Sequence, residues 1–474
     1  MNYLTQYKKL AVNTFFFALG NIGSKSIQFL MLPVFTRYMI PAEYGKLDVI
    51  NTTVSLMVPI LSFQIAEAIL RFAVDCRVQR ENRNILPNAL IFLVSTFLLF
   101  SLFLYPMMKN ISVFNEYSFY LYTLLFLTIL NGIVKQYIRG LEKIKLYVAS
   151  DIFYSAIFAL SNLVLLVTFK LGIRAYLLSN IISLMCATLL IFFAARLYKH
   201  VNLKIDNQLL KEMLVYSIPL IPNGIMWWVV TASDRYIISY FVGYEATGIY
   251  SVAARFPGLL TVFYGIFHQA WQLSSMEEYG KEDYGEFFRK VFNVTMSVMF
   301  FGSSLLFLAI KPFLQVYVGQ AYVESWRYVP FLFLGAVFQT FSFFFGVNYG
   351  NSKKTIGAFY SSVIAAIVKI VTILLLIKSW RIQAASFSTM LAYLTMWIVR
   401  VYHTKRLVNV YLEKDHLIVS FALVLTQAVL LLFLNARFYA IQALFVVIVL
   451  FVQRKYLKQL FRFGFKNLWP YRAR

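Results

Sequence analysis

The sequence predicts an all-α integral membrane protein of about fourteen transmembrane helices, arranged as two parallel six-helix lobes followed by two more helices. Three observations carry this. Hydrophobic residues are 60% of the 474 and charged residues only 14%, with a mean hydropathy of +0.70, whereas a soluble domain is about a quarter charged. The apolar runs are continuous over roughly 20 residues, the length that crosses a bilayer. Hydrocarbon offers no partner to backbone N–H and C=O groups, so a span is a helix or part of a closed barrel, and runs without strict alternation are helices.

In chain order, apolar stretches predict spans over about 10–36, 44–70, 85–106, 117–138, 147–169 and 174–196, then 214–242, 246–271, 290–311, 328–348, 355–378 and 382–401, and finally 416–435 and 437–453. The first begins after Lys8 and Lys9. It is too long for a signal-peptide core and lacks an A-x-A cleavage pattern, so it reads as a retained helix. Proline and glycine punctuate the first, second, seventh and eighth spans. They include Gly20, Gly23 and Pro33, then Pro59, then Pro219 and Pro222, then Pro257 and Gly258. Pro59 and Pro257 are candidate hinges, with static bends the competing reading. The acidic stretch "MEEYGKEDYGEFFRK" at 276–290 is read as a solvated connection before the ninth span.

The net charge of +24 follows topology and does not indicate nucleic acid. Of the 44 basic residues, about 30 fall in the N-terminus, the even-to-odd loops and the tail, against about 10 in the opposite loops. The positive-inside rule then places both termini in the cytoplasm. The basic tail is read as an orientation signal or a lipid-headgroup anchor. Cys76 and Cys186 allow no disulfide framework and no zinc pattern. The histidines at 200, 268, 403 and 416 lie far apart, without H-E-x-x-H, a phosphate loop or a nucleophile elbow, so neither catalytic residues nor a metal site is expected.

A weak repeat gives the lobes. "PAEYGKLDV" at 41–49 aligns with "YEATGIYSV" at 244–252, putting Gly45 on Gly248; "RGLEKIK" at 139–145 aligns with "YGNSKKT" at 349–355, putting Gly140 on Gly350. The expected division is residues 1–205, residues 206–407, and a remainder of two helices and a basic tail over 408–474.

Four basic residues remain inside spans: Lys25, Arg235, Arg255 and Lys369. A mid-membrane cation costs roughly 2.5–3.5 kcal/mol on insertion scales, so each needs a partner, a wet cavity or a route to the surface. Asp48, Glu67 and Asp234 are the intramembrane acids. Adjacent helical residues diverge by about 100°, so Asp234 and Arg235 are expected to find separate partners. Asp234 and Arg255 lie at similar depths, roughly 12–14 Å from the turn between their spans at about 1.5 Å per residue, and form a candidate ion pair. A structural role and the presentation of an arginine to a cavity both remain open. Asn21, Lys25 and Gln28 continue a polar stripe from Thr14 on an otherwise apolar helix, as expected of a face turned to water or a ligand. No acid lies at the depth of Lys25 on its own helix, and Asp48 or Glu67 of the second span is its candidate partner. Lys369 has either a cavity role or an inter-helix one.

With these residues in view, the chain resembles the polysaccharide-transport branch of the multidrug/oligosaccharidyl-lipid/polysaccharide exporter superfamily, the Wzx-type O-antigen or capsule-repeat flippases. The likeness rests on "NIGSKSIQFLMLPVFTRYMIPAEYGKLDV", "AILRFAVD", "YSIPLIPNGIMWWVVTASDRYIISYFVGYEATGIYSVAARF" and the "QAW" of 269–271. The resemblance implies a V-shaped pair of lobes around a cationic cavity lined by the first, second, seventh and eighth helices. It implies movement of an undecaprenyl-diphosphate-linked oligosaccharide from the cytoplasmic to the outer leaflet by alternating access. A diphosphate would suit Lys25, Arg255 and Lys369, with Asn21 and Gln28 as donors. No organic cofactor is expected. H+ or Na+ is the expected coupling ion, and polymerase and glycosyltransferases of the same pathway are the expected partners, besides membrane lipids. The competing reading is a multidrug exporter, whose cavity should carry acids. A membrane polymerase or ligase would need a long outer loop, and no outer loop exceeds about 20 residues.

Overall fold

The computed structural model describes residues 3–79, 84–109, 112–199, 206–352, 354, 356–408, 412–433 and 438–468. These residues form helices and no strands. In order they are α1 (Tyr3–Tyr38), α2 (Pro41–Leu61), α3 (Ile65–Gln79), α4 (Ile85–Lys109), α5 (Ser112–Gly140), α6 (Ile144–Asn162), α7 (Ile173–Ala194), α8 (Asn207–Ser217), α9 (Ile221–Ala232), α10 (Asp234–Phe241), α11 (Tyr244–Ala253), α12 (Pro257–Glu278), α13 (Tyr284–Tyr317), α14 (Val329–Asn351), α15 (Ile356–Trp380), α16 (Ile382–Thr404), α17 (Lys414–Phe433) and α18 (Phe438–Leu468). Among the described residues, eleven stretches are long and apolar enough to cross a membrane, and two bent helix pairs raise the total to thirteen. The multi-pass helical class is as expected; the count of fourteen is not confirmed among the described residues, where each expected span except 10–36 has a counterpart in that total.

Within the expected spans, the helices break where proline and polar residues interrupt apolar runs. The expected span 44–70 is broken. α2 ends at Leu61, Phe63 and Gln64 adopt φ of 49° and 54°, and α3 leaves at 53° to α2. Pro59 removes a backbone donor from the last turn of α2, and Ser62 starts α3 by accepting from the amides of Gln64 and Ile65. The expected span 214–242 is three helices, α8, α9 and α10. It tightens to a 3₁₀ turn at Ile218–Leu220 and breaks at Ser233. The expected span 246–271 breaks after Ala253, and Pro257 is the first residue of α12, where its missing N–H costs nothing, rather than a kink within a helix.

The chain divides into two compact units, Met1–Ser239 with Gly243–Gly248, and Tyr240–Val242 with Ile249–Arg474. In the first unit α1 lies against α6, where a Cβ on Gly20 would come within 2.7 Å of Val148. At the end of α5, a Cβ on Gly140 would strike Ala73 of α3, and Arg77 bonds the Gly140 carbonyl and Glu142, each at 3.0 Å. The first turns of α2 and α11 cross backbone to backbone. A Cβ on Gly45 would collide with the Tyr244 carbonyl oxygen, and one on Gly248 with that of Pro41. Each carbonyl belongs to the residue four before the other glycine, so the two motifs that match in sequence meet as mirror contacts.

The second unit has an aromatic core. Trp271 of the "QAW" motif stacks on Phe344 at 4.3 Å, and Phe288, Phe292 and Phe341 interlock beside it. α17 and α18 are tied to α13 by side-chain hydrogen bonds, Ser297 to Gln453 at 2.7 Å, Ser304 to Gln427 at 2.6 Å and Asn293 to Glu413 at 2.9 Å. Between apolar helices in lipid, such bonds and close packing supply the attraction that hydrophobic burial cannot.

Candidate functional site

The break at Ser233 makes the charged site in the first unit. Asp234 opens α10 instead of continuing α9, so its carboxylate turns back to its own neighbour. Arg235 Nη1 donates to Asp234 Oδ1 at 2.7 Å and to the Thr231 carbonyl at 2.7 Å, and the Arg235 amide also donates to Oδ1 at 3.1 Å. Arg235 Nε reaches Asp48 Oδ2 of α2 at 3.2 Å. The expectation that Asp234 and Arg235 diverge is therefore corrected. It holds within a regular helix, and here the helix breaks at Ser233, just before the pair, which sits in the first turn of α10. The expected second partner of Arg235 exists, and it is Asp48.

Asp234 is 1% and Asp48 9% exposed, so this is a desolvated carboxylate–guanidinium–carboxylate cluster. Desolvation makes its members interdependent, because removing Arg235 takes from both carboxylates the cation they share. Polar and aromatic groups surround it on the same helices. Tyr236 hydroxyl bonds Thr53 of α2, and Trp228 Nε1 donates to the Thr52 carbonyl at 3.0 Å and to Ser55 Oγ at 3.1 Å. The Trp228 and Tyr236 rings lie edge to face at 5.8 Å. Asp48, Thr52 and Ser55, spaced i, i+4 and i+7 along α2, thus all bond α9 or α10. Gly224 keeps room for Gln64, whose Nε2 would lie 2.6 Å from a Cβ there.

The other expected residues are dispersed. Lys25 lies exposed on α1, and its amine forms no ion pair among the described residues; neither Asp48 nor Glu67 serves it. Glu67 is exposed in the first turn of α3, beyond the break. Gln28 is exposed on α1, and the side chain of Asn21 lies outside the described residues. In the second unit, Arg255 sits exposed in the turn between α11 and α12 rather than within a helix, and Lys369 is fully buried on α15. Pro59 adjoins the α2–α3 bend, whereas Pro257 begins α12.

Sequence reading missed Thr53, Trp228 and Tyr236, whose roles depend on which helices meet, and Arg400. Arg400 lies one residue from the end of the expected span 382–401, yet it is buried. The signal that would have found it is the absence of acidic residues over three helices around it.

A family described as "Polysaccharide biosynthesis protein" matches residues 10–271. No curated protein matches the chain in sequence. A solved structure of the lipid II flippase MurJ, inward closed, is similar at a TM-score of 0.69 and 12% identity, covering 94% of this chain and 98% of that one. An inward-facing multidrug resistance MATE family transporter of the MOP superfamily gives 0.66 and 12% identity over 82% and 94%. A MOP superfamily transporter from Pyrococcus furiosus gives 0.58 and 12% over 83% and 96%. At such identity the likeness is one of fold.

Proposed function

The chain belongs to the polysaccharide biosynthesis protein family, and from that premise we propose that it flips lipid-linked oligosaccharide repeat units across the bacterial inner membrane. In this reading the substrate is an undecaprenyl-diphosphate-linked oligosaccharide, carried from the cytoplasmic to the outer leaflet by alternating access with both termini cytoplasmic. A gradient of H+ or Na+ drives it, and the chain is a transporter rather than an enzyme. The observation that carries the reading is Lys25, a lysine on a polar stripe of an apolar helix, without an ion-pair partner among the described residues. A lipid diphosphate is the anion that such a cation would hold within a bilayer. The buried cluster at Asp48, Arg235 and Asp234 supports it differently, as a locked junction between α2, α9 and α10 whose charges already satisfy one another.

The test is complementation of a flippase-null strain, scored by surface glycan at matched membrane levels. Lys25→Gln keeps a donor and nearly the volume but removes the charge; surface glycan should fall and lipid-linked units accumulate in the inner leaflet. Lys25→Arg keeps the charge with a different shape and should retain part of the activity. Full surface glycan with Lys25→Gln would remove the lysine from the mechanism. An exporter of cationic drugs would instead gain from losing the cation.

A further inference from the structure

Between Glu324 and Glu413 the chain has no carboxylate side chain, yet it carries nine lysines and arginines. α14, α15 and α16 fall inside this stretch and pack together, so no charge on these three helices can neutralise another. Arg400 of α16 shows the consequence. It is 6% exposed; its Nε donates to Ser361 Oγ of α15 at 3.0 Å and its Nη1 to the Ser342 carbonyl of α14 at 2.8 Å. These bonds orient the guanidinium and use two of its five donors. No carboxylate lies within 4.0 Å of it among the described residues. Gly346 keeps the space clear, since a Cβ there would come within 2.9 Å of Nη1.

A desolvated guanidinium without a counter-ion is strongly unfavourable, and phosphate is an anion whose geometry matches its fork. Arg400 lies four residues from the end of α16 at Thr404, which is roughly 6 Å at 1.5 Å per residue. That is within reach of a headgroup at the membrane surface. The same end carries Lys405 and Arg406, exposed just past the helix, and exposed Lys354 in the α14–α15 turn. His403 faces the Tyr349 hydroxyl at 3.2 Å beside them. Basic clefts between transmembrane helices at this depth recognise lipid phosphates.

We propose that Arg400 is the anchor of a lipid-phosphate site formed by α14, α15 and α16, occupied by a phosphate-bearing lipid of the leaflet at the C-terminal end of α16. Ser361 and Ser342 position the guanidinium, and the exposed cations draw the headgroup in. Bulk anionic phospholipid and a polyprenyl diphosphate share this chemistry. The site does not depend on transport, since a chain that moves no oligosaccharide would bind the phosphate equally.

The experiment uses the full chain, stripped of lipid in neutral detergent, with native mass spectrometry and thermal unfolding as readouts. The probes are phosphatidylglycerol, geranylgeranyl diphosphate, diacylglycerol and inorganic phosphate. Phosphatidylglycerol should bind and stabilise the protein, and diacylglycerol should not. Arg400→Gln should weaken phosphatidylglycerol by about ten-fold or more, as expected for one charge-assisted bond. Arg400→Lys should be intermediate, and the paired change Lys405→Gln with Arg406→Gln should lose less than Arg400→Gln. Ser361→Ala keeps the cation and tests the site even where Arg400→Gln folds poorly; it should weaken the lipid several-fold. Tighter binding of the diphosphate identifies the polyprenyl lipid as occupant, and equal binding identifies resident phospholipid. Unchanged affinity in Arg400→Gln or Ser361→Ala, equal binding of diacylglycerol, or full occupancy by inorganic phosphate alone would overturn the proposal.

Discussion

Gly45→Ala sets two physical effects against each other at a place where the structure decides the winner. In a helix interior, alanine is favoured over glycine by roughly 0.5–1 kcal/mol. At position 45 the new methyl would collide with the Tyr244 carbonyl oxygen and come within 2.9 Å of the Gly248 amide nitrogen. Both are backbone atoms, so no side-chain rotation relieves the clash, and α2 and α11 must move apart. Overpacking of this kind costs about 1–3 kcal/mol, which leaves a net loss of roughly 0.5–2 kcal/mol after the propensity gain. Gly248→Ala should behave alike, because its Cβ meets the Pro41 carbonyl and lies 3.1 Å from the Gly45 amide nitrogen. One separation of the helices relieves both collisions, so the double mutant should be less destabilised than the sum of the singles, by about 0.5 kcal/mol or more. Gly132→Ala is the control: nothing lies within 4 Å of a Cβ there, so the same substitution should be neutral or stabilising. Thermal unfolding in detergent, followed by tryptophan fluorescence, measures all four proteins. Gly45→Ala as stable as Gly132→Ala, or strict additivity in the double mutant, would refute the reasoning.

Arg235→Gln should take from two buried carboxylates the guanidinium they share and lower stability by about 3–5 kcal/mol, read as lost folded yield, while adding Asp48→Asn should recover part of it; a double mutant equal to the sum would show that the two side chains act independently. Trp271→Ala should cost about 3–5 kcal/mol in thermal unfolding, because the ring is 2% exposed and stacked on Phe344. Trp271→Phe should cost much less, so equal losses would shift the weight from stacking to the indole hydrogen bond with the Phe344 carbonyl. Gln453→Leu should loosen α17 and α18 from α13, seen as faster proteolysis after residue 408, since it removes the shared partner of Ser297, Ser420 and His416.

The sequence by itself determined the class of this protein, because the cost of an unbonded peptide group in hydrocarbon leaves long apolar runs no choice but the helix. It also put Gly45 and Gly248 in equivalent places of two similar motifs. That these glycines touch was not legible, because periodicity describes one helix and not what crosses it. The same limit explains the charged site. Asp48, Asp234 and Arg235 stood out as charges in apolar runs, and a regular helix would have sent the last two apart. The break at Ser233 is a tertiary outcome. It lets a carboxylate at the start of α10 bond its neighbour while α2 supplies Asp48. Arg400 was overlooked because a basic residue at the end of a span ordinarily reaches water. Only the packing of α14 and α15 over it decides that it is buried, and burial is what turns a topological signal into a charge in need of an anion.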